Sequence, residues 1–144
     1  ELVITHISNN TSSKSATAEE AGVAQVDANV IVMTRSGDVI TSCIIDAIQS
    51  KAEFGADGAA ITESGAVSSK NQLGENYGMK GFSGIGKEWN EQAAAFAAYV
   101  TGKTAEEVAG IALTETTAPA EADLASSVTI SVGGFMALIE KIAK

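Results

Sequence analysis

The residues of this sequence best suited to chemistry lie in one segment near its carboxyl end. Residues 123–131 read Asp-Leu-Ala-Ser-Ser-Val-Thr-Ile-Ser, which places four hydroxyls and one carboxylate immediately before a predicted helix. The first amides of a helix lack internal partners, and the helix dipole adds partial positive charge at that end. A phosphate therefore suits this segment as a ligand. The simpler interpretation is that Thr129 or Ser131 caps the helix, because serine and threonine are common caps.

Few other residues offer catalytic chemistry. His6 is the only histidine and Cys43 the only cysteine, so the sequence predicts neither an internal disulfide nor a metal site built from several imidazoles or thiolates. A hydrolase built on Ser126 or Ser127 would need the distant His6 as its base, and this is the least favoured function. We expect Cys43 to be a small buried apolar residue.

The charge balance excludes several classes of partner. Eighteen acidic and nine basic residues give a net charge of −9. DNA, RNA and anionic membrane surfaces would therefore be repelled. No apolar run approaches the length of a transmembrane span. The 144 residues suit one domain that spans residues 1–144.

Apolar residues in the first third of the sequence predict β-strands. Residues 2–7 form a short β-rich run, and residues 26–33 alternate in the manner of a strand. Its predicted buried face consists of Val26, Ala28, Val30 and Val32. Asp27 would then lie on the solvated face, where carboxylates in strands are usually found.

A glycine turn at Gly37 predicts a β-hairpin. The strand that follows, residues 39–48, has two apolar faces. One face is predicted to hold Ile40, Ile44 and Ile48, and the other Val39, Cys43 and Ile45. A second turn is expected at Asp57-Gly58, followed by a short strand over residues 59–62.

Helices are expected in the second half of the sequence, after an irregular segment from Ser64 to Gly86 that contains six glycines. The apolar stripe of a first helix, which Gly102 ends, consists of Ile85, Trp89, Ala93, Phe96 and Val100. Thr104 and Glu107 form a capping-box pattern for a short helix ending near Gly110. The stripe of a terminal helix consists of Val132, Phe135, Met136, Ile139 and Ile142.

The order of these elements predicts the fold class. Strands followed by helices indicate an α+β fold rather than an alternating parallel sheet. We expect an antiparallel β-sheet with an N-terminal hairpin, packed against two or three C-terminal helices.

The segment 123–131 resembles the signature of the FMN-binding domain family. The usual form of that signature is Asp-x-x-Ser-Gly-Ala-Thr-x-Ser, and this sequence has Ser127 and Val128 in place of Gly-Ala. Further similarity, to exported clostridial lipoproteins related to the family, lies in the Gly37 hairpin, the Tyr77-Gly78-Met79 segment and the helix around Trp89–Gln92.

The resemblance implies a function in electron transfer. The family includes flavin-carrying subunits of sodium- or ferredoxin-linked respiratory complexes and flavinylated lipoproteins of extracellular electron transfer. A separate flavin transferase joins the signature threonine, through its oxygen, to the flavin phosphate, and the matching residue here is Thr129. The resemblance implies an extracytoplasmic FMN carrier, a cell-surface lipoprotein or a secreted protein, with a flavin transferase and redox proteins as partners. It implies a redox carrier or binding domain rather than a stand-alone enzyme.

A bound flavin needs phosphate donors, an apolar or aromatic wall and polar groups near its ring. The residues predicted near the phosphate are Asp123, Ser126, Ser127, Thr129 and Ser131, with Lys70, Lys80 and Lys87 as candidate cations. The residues predicted near the ring are Tyr77, Met79 and Trp89, with Asn90 or Gln92 at its polar edge.

Each ring residue has a structural alternative. Trp89 shares a helix stripe with Phe96 and is suited to core packing, and Met79 is suited to filling a gap. A second function also stays open: a non-enzymatic surface or interaction domain that keeps the fold without flavin, because Ser127 and Val128 replace the usual Gly-Ala.

Overall fold

A three-stranded antiparallel sheet with helices on one face forms the protein, in a computed structural model that describes residues 1–62 and 67–143. The strands, in sheet order, are β1 (Leu2–Asn9), β2 (Gly22–Ser36) and β3 (Val39–Phe54). The helices are α1 (Lys70–Leu73), α2 (Trp89–Val100), α3 (Ala105–Ala109), α4 (Ala122–Ala125) and α5 (Gly133–Ala143), and a 3-10 helix spans Gly74–Tyr77. The predicted α+β class, with its hairpin and C-terminal helices, is confirmed.

The hairpin turn joins β2 to β3 through two residues, as the sequence predicts. Ser36 pairs with Val39, and Gly37 between them has a φ of 60°. Tight two-residue hairpins require such a positive φ, which glycine adopts without steric cost.

One extra residue, Thr41, interrupts the register of β3 against β2 and forms a β-bulge. Side chains alternate along a strand, so an extra residue exchanges the two faces beyond it. Ile40 is consequently buried, whereas Ile44 is 63% exposed and Ile48 is also exposed. The prediction that these three isoleucines share one face is wrong for this reason.

The helices cover the odd-numbered face of β2 rather than the even-numbered one. Ile31 and Met33 are buried there, while Val26 is 49% exposed on the opposite face. The predicted buried face of valines is therefore wrong, because both faces of this strand carry apolar residues and the helices pack on the one with Ile31 and Met33. Asp27, expected on the solvated side, lies on the helix side.

Helix α2 lies over β3, and α5 lies over β1 and β2. Their inward side chains form the core with the sheet; the fully buried ones include Ile31, Phe96, Val100, Leu138 and Ile139. Both helices are confirmed, although α2 begins at Trp89 rather than near Ile85. Gly86 has a φ of 63°, which a helix cannot accommodate.

Local signals decide the shorter elements. In the predicted capping box of α3, the Thr104 hydroxyl accepts from the Glu107 amide at 3.2 Å, and the Glu107 carboxylate accepts from the Thr104 amide at 2.7 Å. The strand predicted at residues 59–62 is wrong, because that stretch makes only a bridge between Phe54 and Ala60. The predicted turn before it is present, with Gly58 at a φ of 79°.

The glycine-rich segment contains more regular structure than the sequence indicates. Of the predicted irregular stretch Ser64–Gly86, residues 64–66 lie outside the described residues. The remainder includes α1 and the 3-10 helix, and a capping box between Ser69 and Gln72 begins α1. Among the described residues, no helix combines the length and hydrophobicity needed to span a membrane.

Candidate functional site

A cavity of about 690 Å³ lies between the inner face of the sheet and the start of α5. This volume falls within the range of small-molecule sites, roughly 300–1,000 Å³. Five of the residues predicted from the sequence line it, namely Lys70, Tyr77, Met79, Trp89 and Ser131. The fold therefore brings the glycine-rich segment and the signature segment to one cavity, although about 50 residues of sequence separate them.

The sheet supplies a polar wall of the cavity, although Asp27 in this wall was expected on the solvated face of β2. Asp27 and Asn29 line the cavity from β2. The Asp27 carboxylate accepts from Gln25 Nε2 at 3.0 Å and from Gln49 Nε2 at 2.8 Å. Two amides thus hold this carboxylate in place, and the sheet side of the cavity is a fixed hydrogen-bonding surface.

An aromatic wall faces that polar one. Trp89 is 5% exposed and packs edge-to-face against Phe135, with ring centroids 6.0 Å apart. Trp89 is thus a core residue, as its helix stripe indicates, and it also lines the cavity. Lys70 Nζ lies 4.8 Å from the ring centroid of Tyr77 and 5.1 Å from that of Trp89. The Lys70 ammonium is therefore held at the cavity by cation–π contacts with both rings.

The start of α5 forms another part of the cavity. Gly134 lies in the first turn, where backbone amides have no partner within the helix. A Cβ on Gly134 would lie 3.4 Å from Asn29 Nδ2, an ordinary van der Waals distance, so the start of α5 lies directly beside the polar side chain of Asn29. The prediction that Thr129 or Ser131 caps this helix is wrong, because the hydroxyls of both residues bind elsewhere.

Thr129 is exposed, and its hydroxyl is oriented by a buried glutamine. Gln92 Oε1 accepts three hydrogen bonds, from Thr129 N at 2.7 Å, Thr129 Oγ1 at 3.1 Å and Ile130 N at 3.2 Å. A carbonyl oxygen only accepts, so the Thr129 hydroxyl is the donor and its lone pairs stay available. The predicted attachment residue thus has a defined orientation one residue away from Ile130, which lines the cavity.

The other end of Gln92 binds the segment before α2. Gln92 Nε2 donates to Ser83 Oγ at 3.1 Å and to the carbonyl of Lys87 at 3.2 Å, and the side chain is fully buried. Gln92 therefore connects the glycine-rich segment to Thr129. A fully buried amide with five hydrogen bonds serves the fold, so the prediction that Gln92 reaches the edge of a ligand is wrong.

A buried carboxylate fixes the glycine-rich segment beside the cavity. Glu88 is 3% exposed and accepts from the amides of Met79 and Lys80, each at 2.9 Å. This pair of bonds holds Met79 at the cavity wall. Lys80 and Lys87, predicted as candidate cations together with Lys70, are not part of that wall.

The two residues that replace Gly-Ala are accommodated without backbone strain. Val128 is fully buried in the core, and Ser127 is half-buried. Among residues 1–62 and 67–143, the only non-glycine residue with a positive φ is Thr117, at 59°. Neither Ser127 nor Val128 therefore occupies a conformation that requires glycine.

The first half of the signature lies on a separate short helix. Asp123 is in α4, and Ser126 follows that helix and donates from its hydroxyl to the Asp123 carbonyl at 2.7 Å. Both residues are exposed, and neither is part of the cavity wall. Ser131 therefore lines the cavity and Thr129 lies next to the lining residue Ile130, whereas Asp123, Ser126, Ser127 and Thr129 itself are not part of the wall.

A loop residue that the sequence analysis did not identify supports the signature. The Thr117 hydroxyl is hydrogen-bonded to the Ser131 hydroxyl, and the Thr117 carbonyl accepts a hydrogen bond from Val132 N at 2.9 Å. Left-handed backbone is uncommon for a β-branched residue, and such strain concentrates at functional sites. Only the single proline two residues later, Pro119, marked this loop in the sequence.

No family model, curated protein or solved structure matches this chain. Within the described ranges, no group of three or more His, Cys, Asp or Glu residues is arranged to hold a metal ion. Any function must therefore be argued from the cavity and the residues around it.

Proposed function

We propose that this protein is an extracytoplasmic electron-transfer module that holds FMN at the cavity, with Thr129 as the residue to which the flavin phosphate is attached. The observation that carries this proposal is the meeting of Tyr77, Met79, Trp89 and Ser131 at one cavity, with Thr129, an exposed residue, two positions before Ser131. The sequence predicts each of these residues as a contact of a flavin. No general feature of an α+β fold requires them to meet.

The residues around the cavity fit the parts of FMN. Tyr77 offers aromatic surface, to which the nearly buried Trp89 adds little, and Asp27 and Asn29 offer polar groups to ring heteroatoms. Lys70 adds a positive charge, and the unpaired amides at the start of α5 favour an anion. The negative charge of the Asp27 carboxylate would repel a phosphate bound against the sheet. A phosphate position toward Thr129 is therefore favoured.

Thr129 has the features of an attachment residue. Thr129 is an exposed residue, and Gln92 fixes the direction of its hydroxyl proton. Attachment forms a bond from Oγ1 to the flavin phosphorus while a pyrophosphate bond of a flavin dinucleotide breaks, so a nucleoside monophosphate and the hydroxyl proton leave. The transferase supplies the activated flavin, and a bound flavin supplies one- and two-electron chemistry. The chain's own contribution is to position the hydroxyl and provide the cavity.

Mass spectrometry after co-expression with a bacterial flavin transferase tests this proposal. Trypsin releases residues 104–141 as one peptide, because no Lys or Arg lies between Lys103 and Lys141. We expect this peptide to gain the mass of a phosphoester-linked FMN in the wild-type protein. Thr129→Val should abolish the gain, and Thr116→Val, which changes an exposed threonine of the same peptide, should leave it intact.

A restored signature provides the positive control for the transferase. The double variant Ser127→Gly/Val128→Ala carries the usual Gly-Ala form of the family. If this variant gains FMN and the wild-type protein does not, the covalent form of the proposal is wrong for this chain.

A second arm tests flavin binding without attachment. Added FMN should bind the purified wild-type protein and quench Trp89 fluorescence, the signal of the only tryptophan. If neither attachment nor reversible binding occurs, the flavin proposal is wrong in both forms, and the alternative of an interaction domain without flavin is the one left to test.

A further inference from the structure

The side chains of the sheet that point away from the helices form an apolar surface, here called the outer face. Ile4 of β1 is 65% exposed and Ile44 of β3 is 63% exposed, and they lie on either side of Val32 of β2. The same surface includes three more exposed apolar residues, Leu2, Val26 and Ile48. Single exposed apolar residues are common on proteins, but a continuous apolar surface across three strands indicates a binding surface.

The size of the outer face suits a small protein–protein contact. From Val26 to Thr34, β2 extends roughly 27 Å, and three strands together are about 14 Å wide. The flat area is therefore about 400 Å², before the relief of the side chains is counted. A standard interface covers about 800 Å² on each partner. The outer face is thus expected to form a reversible contact at the weaker end of the range.

Two ionisable side chains interrupt this apolar surface. Among the outward residues of the three strands, all of which the structure describes, only His6 and Asp46 are ionisable. They flank Val30 in one row of the sheet, with backbones about 10 Å apart, and no ion pair joins them. Asp46 Oδ1 accepts from Ala47 N at 2.8 Å and from Asn71 N at 3.1 Å. Asp46 Oδ2 has no hydrogen bond to a described residue, so it can accept one from a partner.

A two-fold axis parallel to β2 makes the outer face complementary to itself. Such an axis, lying between two facing sheets, places β1 of one copy over β3 of the other. His6 of one copy then faces Asp46 of the second copy, and symmetry makes this contact twice. In the next row, Ile4 faces Ile44 of the second copy, and Val32 lies at the axis. The strands of the two sheets are nearly aligned, as in β-sandwiches, where facing sheets pack about 10 Å apart.

We propose that two copies of this chain associate through their outer faces into a two-fold symmetric dimer. With a net charge of −9, the chain repels a second copy over most of its surface. On the outer face, the dimer places His6 opposite the single carboxylate, and an imidazole donates a hydrogen bond whether neutral or charged. No Lys or Arg lies among the outward residues of the strands, so anionic lipid head groups find no cation there. The cavity lies on the inner face, so the dimer leaves it open and is independent of flavin binding.

Sedimentation equilibrium of the full chain, from about 1 μM to about 1 mM, tests the association. We expect a monomer–dimer equilibrium with a Kd of roughly 10–100 μM. Ile44→Lys should weaken it by about tenfold or more, because it places an ammonium in the apolar contact. Ile61→Lys is the matched control, since Ile61 lies outside the strands, is 59% exposed and undergoes the same change in charge. It should leave the Kd within about twofold of the wild-type value.

Substitutions of His6 test the charge complementarity. His6→Glu should weaken the dimer by about tenfold or more, because it places two carboxylates opposite each other at both symmetry-related contacts. His6→Gln keeps a donor at this position and should change the Kd by no more than about threefold. His6 and Ile44 are exposed, so urea unfolding of the monomer at about 1 μM should give nearly the wild-type midpoint for each variant.

Disulfide formation between two different variants tests the orientation. In a Cys43→Ala background, one protein carries Ile4→Cys and the other carries Ile44→Cys, with oxidised glutathione as the oxidant. An equimolar mixture should form a disulfide-linked heterodimer, because these positions face each other across the axis. Each variant alone should form little linked dimer, because its two thiols are more than about 7 Å apart in the proposed arrangement.

Four outcomes would overturn the proposal. The first is a monomer at every concentration, and the second is a dimer that Ile44→Lys and Ile61→Lys weaken equally. The third is a linked dimer of the Ile4→Cys variant with itself that forms as readily as the mixed one. The fourth is a wild-type monomer that binds phosphatidylcholine vesicles while Ile44→Lys does not, because a lipid surface would then be the occupant.

Discussion

Replacing Gln92 by methionine tests whether this buried amide holds the two functional segments together. Methionine has a similar length and shape but makes none of the five hydrogen bonds of the glutamine side chain. The amides of Thr129 and Ile130 lose their acceptor, and Ser83 Oγ and the Lys87 carbonyl lose their donor. The change therefore releases the signature segment and the glycine-rich segment at the same time.

The expected cost follows from the number of groups left without partners. An unsatisfied buried donor costs about 1–3 kcal/mol. Because Thr129 is exposed, we assign the lower limit of about 1 kcal/mol to each of the two amides that lose their acceptor, those of Thr129 and Ile130. The lost donor bonds add about 0.5 kcal/mol each. Gln92→Met should therefore lower the free energy of unfolding by ~3 kcal/mol.

Urea unfolding followed by Trp89 fluorescence measures this difference, with an unchanged m-value as evidence for two-state behaviour. Thr129→Val is the matched control, because it removes one hydroxyl donor and leaves the two amide bonds to Gln92, and it should cost under about 1 kcal/mol. A loss below about 1 kcal/mol for Gln92→Met would contradict the reasoning. Equal losses for the two variants would contradict it as well.

Three further predictions concern the core, the cavity and the response to pH. Burial raises the pKa of the Cys43 thiol from 9.0 to about 11. Above pH 9 the folded state keeps a thiol proton that the unfolded state loses. The contribution of Cys43 to the free energy of unfolding is therefore constant below pH 9 and should fall by up to ~2 kcal/mol toward pH 11. Urea titrations of Cys43→Ala should lack that decline. Val128→Ala should lower stability by about 2 kcal/mol in the same assay, because it removes two buried methyl groups. In flavin-loaded protein, Lys70→Met should lower the midpoint potential of the flavin by tens of millivolts, because each ~1.4 kcal/mol of lost electrostatic stabilisation corresponds to roughly 30 mV over two electrons. Spectroelectrochemistry measures this shift. An unchanged potential would place Lys70 away from the ring.

Local signals in the sequence predict much of the fold. The Gly37 turn, the Thr104 capping box and the apolar stripe of α2 each depend on residues close together in sequence, and all three are confirmed. Short-range chemistry was sufficient for these features. Tyr77 and Ser131 line one cavity, but they are far apart in sequence and no local signal connects them.

The covered face of the sheet required information from outside the strands. Val26 and Ile31 lie on opposite faces of β2 and are both apolar, so alternation alone could not identify the inner one. The positions of α2 and α5 decide it, and they bring Asp27 into the cavity rather than toward solvent. In β3, the bulge at Thr41 exchanges the faces again, and no glycine or proline marks it in the sequence. Long-range packing thus sets the polar wall of the cavity, and the bulge sets which side chains of β3 face the helices.

The replacement of Gly-Ala by Ser127 and Val128 affects the access of a transferase to Thr129 rather than the backbone conformation. Neither residue needs the backbone freedom of glycine, because neither has a positive φ. Val128 contributes its whole side chain to the core, so its size stabilises the turn that presents Thr129. Conformational strain therefore does not argue against attachment at Thr129.

What differs from the family signature is the half-buried side chain of Ser127 beside the attachment residue, where a transferase must approach. Ser127→Gly alone should accordingly restore any attachment that the wild-type chain lacks, while Val128→Ala alone should change only stability. Comparing the mass gain of peptide 104–141 in these two single variants separates access from folding. Restoration by Val128→Ala instead would show that core packing at this turn limits the reaction.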